Sequence, residues 1–205
     1  VLGGFLGSKL LYFITDIKNI LNNPELILNL ADGWVVYGGI IGGILTAVIY
    51  SRKKKLDFLA YFDLIIPSVA LAQGFGRVGC FLAGCCYGRE THSPIGIAFQ
   101  HSDYAPNGVP LVPTQLISSG LNFLHFFVLI MAKRKKADGQ IGALYLILYS
   151  IGRFILEYYR GDLIRGSVGI LSTSQFISIF TVIAGVLLFI WCSRRGKISP
   201  DGKAA

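Results

Sequence analysis

Tyr149, Arg153, Glu157 and Arg160 stand at relative positions 0, +4, +8 and +11 in a stretch, Gly142 to Arg160, that is otherwise built for lipid. At about 100° per residue the four project into one narrow sector of a helix. A charge at membrane depth costs at least about 2.5 kcal/mol, so this stripe needs a partner or a water-filled cavity. Two compatible readings follow. Arg153 and Glu157, spaced i, i+4, form an intramembrane ion pair that is structural, or Glu157 orients an arginine that engages a ligand phosphate.

A further arginine, Arg77, lies in the run Gly74-Phe-Gly-Arg-Val-Gly-Cys-Phe-Leu-Ala-Gly-Cys-Cys-Tyr-Gly88. So many glycines predict a re-entrant or irregular segment whose N–H groups line a protein cavity. Such N–H groups beside a guanidinium suit an anionic oxygen cluster, because the planar fork donates two parallel hydrogen bonds. The plainer reading of Arg77 is a side chain snorkelling to the membrane interface.

Gly38, Gly39, Gly42 and Gly43 place small residues at i, i+4, and Gly39-x3-Gly43 matches the close-packing pattern of membrane helices. The functional alternative is that Gly38 and Gly39 let a lipid headgroup approach the backbone, with Tyr37 as a neighbouring hydroxyl donor. Among Cys80, Cys85, Cys86 and Cys192, the spacing Cys-x4-Cys-Cys is not a zinc pattern, and no histidine follows at finger distance. No metal site is therefore expected. A disulfide from Cys80 to Cys85 or Cys86, a reactive thiol and inert packing all remain open for that cluster. Cys192 reads as inert, His125 as a packing residue, and Asp63 beside Pro67 as a helix break or polar contact.

These residues must be carried by membrane-spanning helices. Of 205 residues, 53% are hydrophobic and 15% charged, against about 25% charged in a soluble domain; mean hydropathy is +0.61. The expected class is an all-α integral membrane protein. Six apolar segments run over 1–17, 33–51, 57–75, 112–132, 140–159 and 171–193, each near the roughly 20 residues needed to cross a bilayer. The opening residues read as the interior of an apolar segment, so a seventh, upstream helix is expected.

The net charge of +8 does not indicate nucleic acid. Eleven of the 19 basic residues fall in three runs, Arg52–Lys55, Lys133–Lys136, and Arg194–Arg195 with Lys197. Each follows an apolar segment, as cytoplasmic ends do, whereas a nucleic-acid footprint would track a groove. The C-terminus is then inside, and the Arg77 and Arg153 groups both lie near the outer face. Residues 1–197 form a single polytopic domain, with 88–111 as an external loop and 198–205 as a disordered cytoplasmic tail.

At these positions the chain resembles the prolipoprotein diacylglyceryl transferase family. Gly76-Arg-Val-Gly-Cys-Phe-Leu-Ala-Gly-Cys-Cys-Tyr-Gly88 aligns without gaps to the family signature Gly-Arg-x-Gly-Asn-Phe-x-Asn-Gly-Glu-x-aromatic-Gly. Ala31-Asp-Gly-Trp-Val-Val-Tyr-Gly-Gly-Ile-Ile-Gly42 is similar to its glycine-rich motif, with Tyr37 where a His usually precedes Gly-Gly. Gly4 to Phe13 resembles its second helix, with Lys9 for the usual Arg. Val112-Pro-Thr-Gln-Leu116, the Tyr149/Arg153/Glu157/Arg160 stripe and Leu171-Ser-x2-Gln175 complete the likeness. The departures are Cys80, Ala83 and Cys85 for Asn, Asn and Glu, and Ile117-Ser118 for the family's Tyr-Glu.

The resemblance implies a multi-pass protein of the bacterial inner membrane. It would move a diacylglyceryl group from phosphatidylglycerol to the lipobox cysteine thiol of a prolipoprotein, releasing glycerol phosphate without a cofactor. Arg77, Arg153, Glu157 and Tyr37 are the expected catalytic residues. Gly38, Gly39, Gly76, Gly79, Gly88, Gln115, Tyr149 and Arg160 are the expected substrate-binding set. The altered signature leaves two alternatives: a diverged phospholipid-using transferase with another acceptor, or a non-catalytic protein that binds anionic lipid.

Overall fold

The computed structural model of the protein describes residues 2–23, 25, 33–132, 137–161 and 167–195. The basic run 133–136, residues 162–166 of an expected outer loop, Ala31 and Asp32 of the glycine-rich motif, Lys197 and the tail 198–205 lie outside the described residues. Two compact units divide the chain, 1–58 and 59–205.

In the first unit, α1 (Leu2–Thr15) leads into the short α2 (Ile17–Asn22), and α3 (Val36–Lys54) packs along α1. Glycine makes that packing close. A Cβ on Gly38 would collide with the Gly7 carbonyl, and one on Gly42 with the Gly3 carbonyl. The seam therefore uses Gly3-x3-Gly7 against Gly38-x3-Gly42. This corrects the expected Gly39-x3-Gly43 pattern: a Cβ on Gly39 would make ordinary contacts, and one on Gly43 would meet nothing. The seam is closed at one end by Ser8, whose hydroxyl donates to the Val35 carbonyl at 2.8 Å. The ammonium of Lys9 sits 5.2 Å from the ring centres of both Tyr12 and Trp34, a cation–π position.

The second unit holds α4 (Phe58–Leu82), α5 (Thr114–Met131), α6 (Gln140–Glu157) and α7 (Thr173–Arg195). These four are long and apolar enough to cross a membrane, while α1 is a shorter apolar helix. Two small hairpins connect them: β1 (Ile97–Ala98) pairs antiparallel with β2 (Pro110–Leu111), and β3 (Ser167–Val168) with β4 (Leu171–Ser172). Leu64, Leu124, Phe127 and Leu187 are among many large apolar side chains left exposed, as lipid-facing surface requires.

The α4 helix is longer than its sequence suggests. It continues unbroken through Pro67, Gly74, Gly76 and Gly79 to Leu82, so the irregular glycine-rich segment begins at Ala83 rather than Gly74. Pro67 cannot donate to the carbonyl one turn back, a loss that membrane helices tolerate when neighbours compensate. Gly74 is needed for packing: the Phe123 ring occupies the place of its Cβ, and the Ser119 hydroxyl donates to its carbonyl at 2.9 Å.

Asp63 does not break α4. Its carboxylate, 2% exposed, accepts the N–H groups of Gly139 and Gly142, each at 2.8 Å, at the start of α6. A negative charge there satisfies orphan donors and complements the helix dipole. Further along, Ile66, Ala70, Leu129, Ile141 and Tyr145 form the apolar core, and the Tyr145 hydroxyl donates to Gln73 at 2.7 Å.

Candidate active site

Of the stripe foreseen, Tyr149, Arg153 and Glu157 lie on α6 and Arg160 just beyond it, and Arg153 is paired with Glu157. Arg153 Nη2 lies 2.8 Å from Glu157 Oε2 and donates to Ser174 Oγ of α7, also at 2.8 Å. The two charged side chains are 14% and 8% exposed. A pair so enclosed needs extra hydrogen bonds to offset desolvation, which Ser174 supplies. Ion pairing and orientation of the arginine are thus one arrangement.

Arg77 of α4 and Arg160, just beyond α6, line one cavity together with Arg153. Gln115 and Ser118 of α5 complete its wall, with Cys86 and Thr114 beside them. The cavity is small, and three guanidinium-bearing side chains border it. Arg160 is placed by a clasp between strands of backbone. Gly88 bridges Arg160, Arg89 N–H donates to the Tyr159 carbonyl at 2.9 Å, and Gly161 N–H donates to the Tyr87 carbonyl at 3.2 Å. Gly88 is required at this crossing, because a Cβ would strike Val112 and the Tyr159 carbonyl.

A neighbouring cavity shares Ser118, Arg153 and Leu156 and is lined also by Tyr149, Asn122 and His125. Three atoms of α5, Gln115 Oε1, Asn122 Oδ1 and His125 Nδ1, are buried without a hydrogen-bond partner among the described residues. Buried polar atoms are rarely left so, and all three belong to residues that line the two cavities. Asn122 and Ser174 were not singled out in the sequence, where Ser118 was noted only as a departure from the family motif and His125 was read as a packing residue. The signal was the polar series 115, 118, 122 and 125, which falls within about a quarter of a helix circumference.

The remaining expected residues sort as follows. Gly76 and Gly79 lie on α4 with open space where a Cβ would stand. Tyr37, Gly38 and Gly39 belong to the first unit, with Tyr37 exposed and Gly38 buried in the α1–α3 seam.

The signature cysteines follow the end of α4. Gly84 adopts a left-handed φ of 70°, Gly84 N–H bonds the Phe81 carbonyl at 3.0 Å, and Cys85 N–H bonds the Cys80 carbonyl at 3.1 Å. These two bonds are a Schellman cap. Cys86 then takes φ 61°, unusual for a residue with a side chain. No disulfide joins the cysteines. The Sγ atoms of Cys80, Cys85 and Cys86 all lie within 4.8 Å of one another. Burial, then the neighbouring Cys86 and Cys80, push the Cys85 thiol up from 9.0 to about 12, which argues against its reading as a reactive nucleophile.

The family model for prolipoprotein diacylglyceryl transferase matches residues 1–191. This chain belongs to that family. It is 53% identical over 190 residues to a phosphatidylglycerol–prolipoprotein diacylglyceryl transferase of Clostridium tetani, covering 92% of this chain and 76% of the relative. It is 52% identical over 191 residues to the phosphatidylglycerol–prolipoprotein diacylglyceryl transferase 2 of Clostridium perfringens, covering 92% and 74%. A relative of the same name in Clostridioides difficile is 35% identical over 196 residues, covering 95% and 75%. Diacylglyceryl transferases are enzymes, and this member is a multi-pass bacterial membrane protein.

Proposed function

We propose that the protein transfers the diacylglyceryl group of phosphatidylglycerol to the lipobox cysteine thiol of prolipoproteins. The observation that carries this reading is the convergence of Arg77, Arg153 and Arg160 on one cavity. In the reaction the acceptor sulfur attacks the glyceryl carbon, the carbon–oxygen bond to phosphate breaks, and glycerol phosphate departs as an anion. Arg77 and Arg153 stabilise the charge that develops on the leaving phosphate, as preorganised positive groups in a water-poor site. Glu157 and Ser174 hold Arg153 in place, and Arg160 with Gln115 binds the headgroup.

The acceptor thiol has an ordinary pKa of about 8.5 and must lose its proton. His125 beside Tyr149 is the group best suited to receive it, since its Nδ1 is buried and unpartnered among the described residues. In the second unit Gly76, Gly79 and Gly88 remain proposed lipid contacts through their backbone; within the first unit, Tyr37 through its hydroxyl and Gly39 through its backbone remain proposed lipid contacts of their own. The basic runs after alternate segments orient the C-terminus to the cytoplasm and the arginine cavity toward the outer face.

The deciding experiment incubates the full-length protein with phosphatidylglycerol vesicles and a lipobox peptide, and follows the thioether product by mass spectrometry. The expected result is a diacylglyceryl peptide and an equal amount of glycerol phosphate. Lipid binding without either product would overturn transferase activity.

A further inference from the structure

We propose that Cys80, Cys85 and Cys86 form a three-sulfur binding site for Cu(I). The expectation of no metal site rested on linear spacing, and the backbone defeats that argument. The Schellman cap folds Cys85 back beside Cys80, and the left-handed turn at Cys86 adds the third sulfur. All three Sγ atoms are mutually within 4.8 Å. A three-coordinate ion with metal–sulfur bonds of about 2.3 Å holds its sulfurs about 4 Å apart, so closure needs movements of less than about 1 Å.

The turn is held from outside. Gln115 Nε2 donates to the Cys85 carbonyl at 2.8 Å and Thr114 Oγ1 to the Cys86 carbonyl at 3.0 Å. Ordered supports of this kind orient ligands before the ion arrives. The three cysteines are partly buried, which limits water without closing the entry path.

The donor set selects the ion. Soft thiolates favour Cu(I) and Zn(II), but zinc takes four ligands in structural sites. Among the described residues, no histidine or carboxylate joins the three sulfurs. Three equivalent soft donors match three-coordinate Cu(I). Binding releases three thiol protons and involves no change of oxidation state, leaving a complex of charge −2. Arg77, Arg153 and Arg160 line the cavity that Cys86 shares and offset that charge. The ligands of the metal site are the three sulfurs alone, so its test does not require that the arginine cavity be catalytic.

The test uses the full-length protein in detergent, reduced and kept anaerobic, titrated with Cu(I) against a chromogenic chelator. One Cu(I) per chain is expected, with a first shell of three sulfurs by X-ray absorption. Stoichiometric uptake should survive Cys192→Ser and vanish in Cys80→Ser and Cys86→Ser. Absence of uptake by the native protein, a shell with fewer than three sulfurs, or undiminished binding by the Cys80→Ser/Cys85→Ser/Cys86→Ser variant would overturn the proposal. Preferential, four-coordinate retention of Zn(II) would overturn the assignment to Cu(I). The measurement on the native protein decides the matter even if a variant fails to fold.

Discussion

Arg153 contacts both a carboxylate and a hydroxyl through one nitrogen, so its orientation is fixed before any ligand arrives. Replacing it with Ala should lower transfer by at least about a hundredfold, the usual loss when a preorganised charge stabiliser is removed. Arg77→Ala should do the same. Thioether formation measured alongside protein folded in detergent checks both, and full activity in either variant would refute the phosphate assignment. His125→Ala should reduce turnover while leaving phosphatidylglycerol binding intact, which separates a proton acceptor from a packing residue. Cys85 gives a pH prediction. Its folded-state pKa is raised from 9.0 to about 12, so the folded protein retains a proton that the unfolded chain loses in that window. Its contribution to stability is present below pH 9 and is lost as pH rises toward 12. Alkylation at pH 8 should be slower at Cys85 than at a simple thiol, and should accelerate through the same window.

The α6 helix begins on a carboxylate supplied by α4, and it ends in the clasp that holds Arg160. Asp63→Ala would leave two buried N–H groups without an acceptor, at about 1–3 kcal/mol each. A lowered unfolding midpoint in detergent is the expected readout. The sequence carried most of the element plan: the polar stripe of α6 and the positions of the four long spans were legible from periodicity and apolar length. It misled where glycine was the argument. Glycine density after Phe75 suggested irregular backbone, yet α4 holds its ladder to Leu82 because a membrane helix has no water to compete for its hydrogen bonds. Likewise, four glycines in α3 offered two equivalent seams, and which pair faces α1 depends on the partner's Gly3 and Gly7. Asp63 was ambiguous for the same reason, since the N–H groups that donate to it lie 76 and 79 residues away.

For the molecule as a whole, the distribution of basic residues predicts orientation. Reporter fusions after Arg195 should behave as cytoplasmic, and fusions within 88–111 as external; the reverse pattern would sink the proposed topology. The arginine convergence was legible only in part. The α6 stripe identified Arg153 and Arg160, and the glycine-rich run identified Arg77, but their common cavity also depends on Gln115 and Ser118 of α5. The cysteine cluster was illegible, because its geometry arises from two left-handed residues that no spacing rule encodes.

The backbone clasp between residues 87–89 and 159–161 has a mechanical consequence. It ties the exit of one long helix to the exit of another, with the cysteine turn on one side and a phosphate-seeking arginine on the other. Adding or deleting a single amino acid between Leu82 and Gly88 would shift the register of that knot and drag both groups out of alignment together. Length variation should therefore be tolerated in the hairpin beyond Glu90 and be ruinous in the five positions between Leu82 and Gly88.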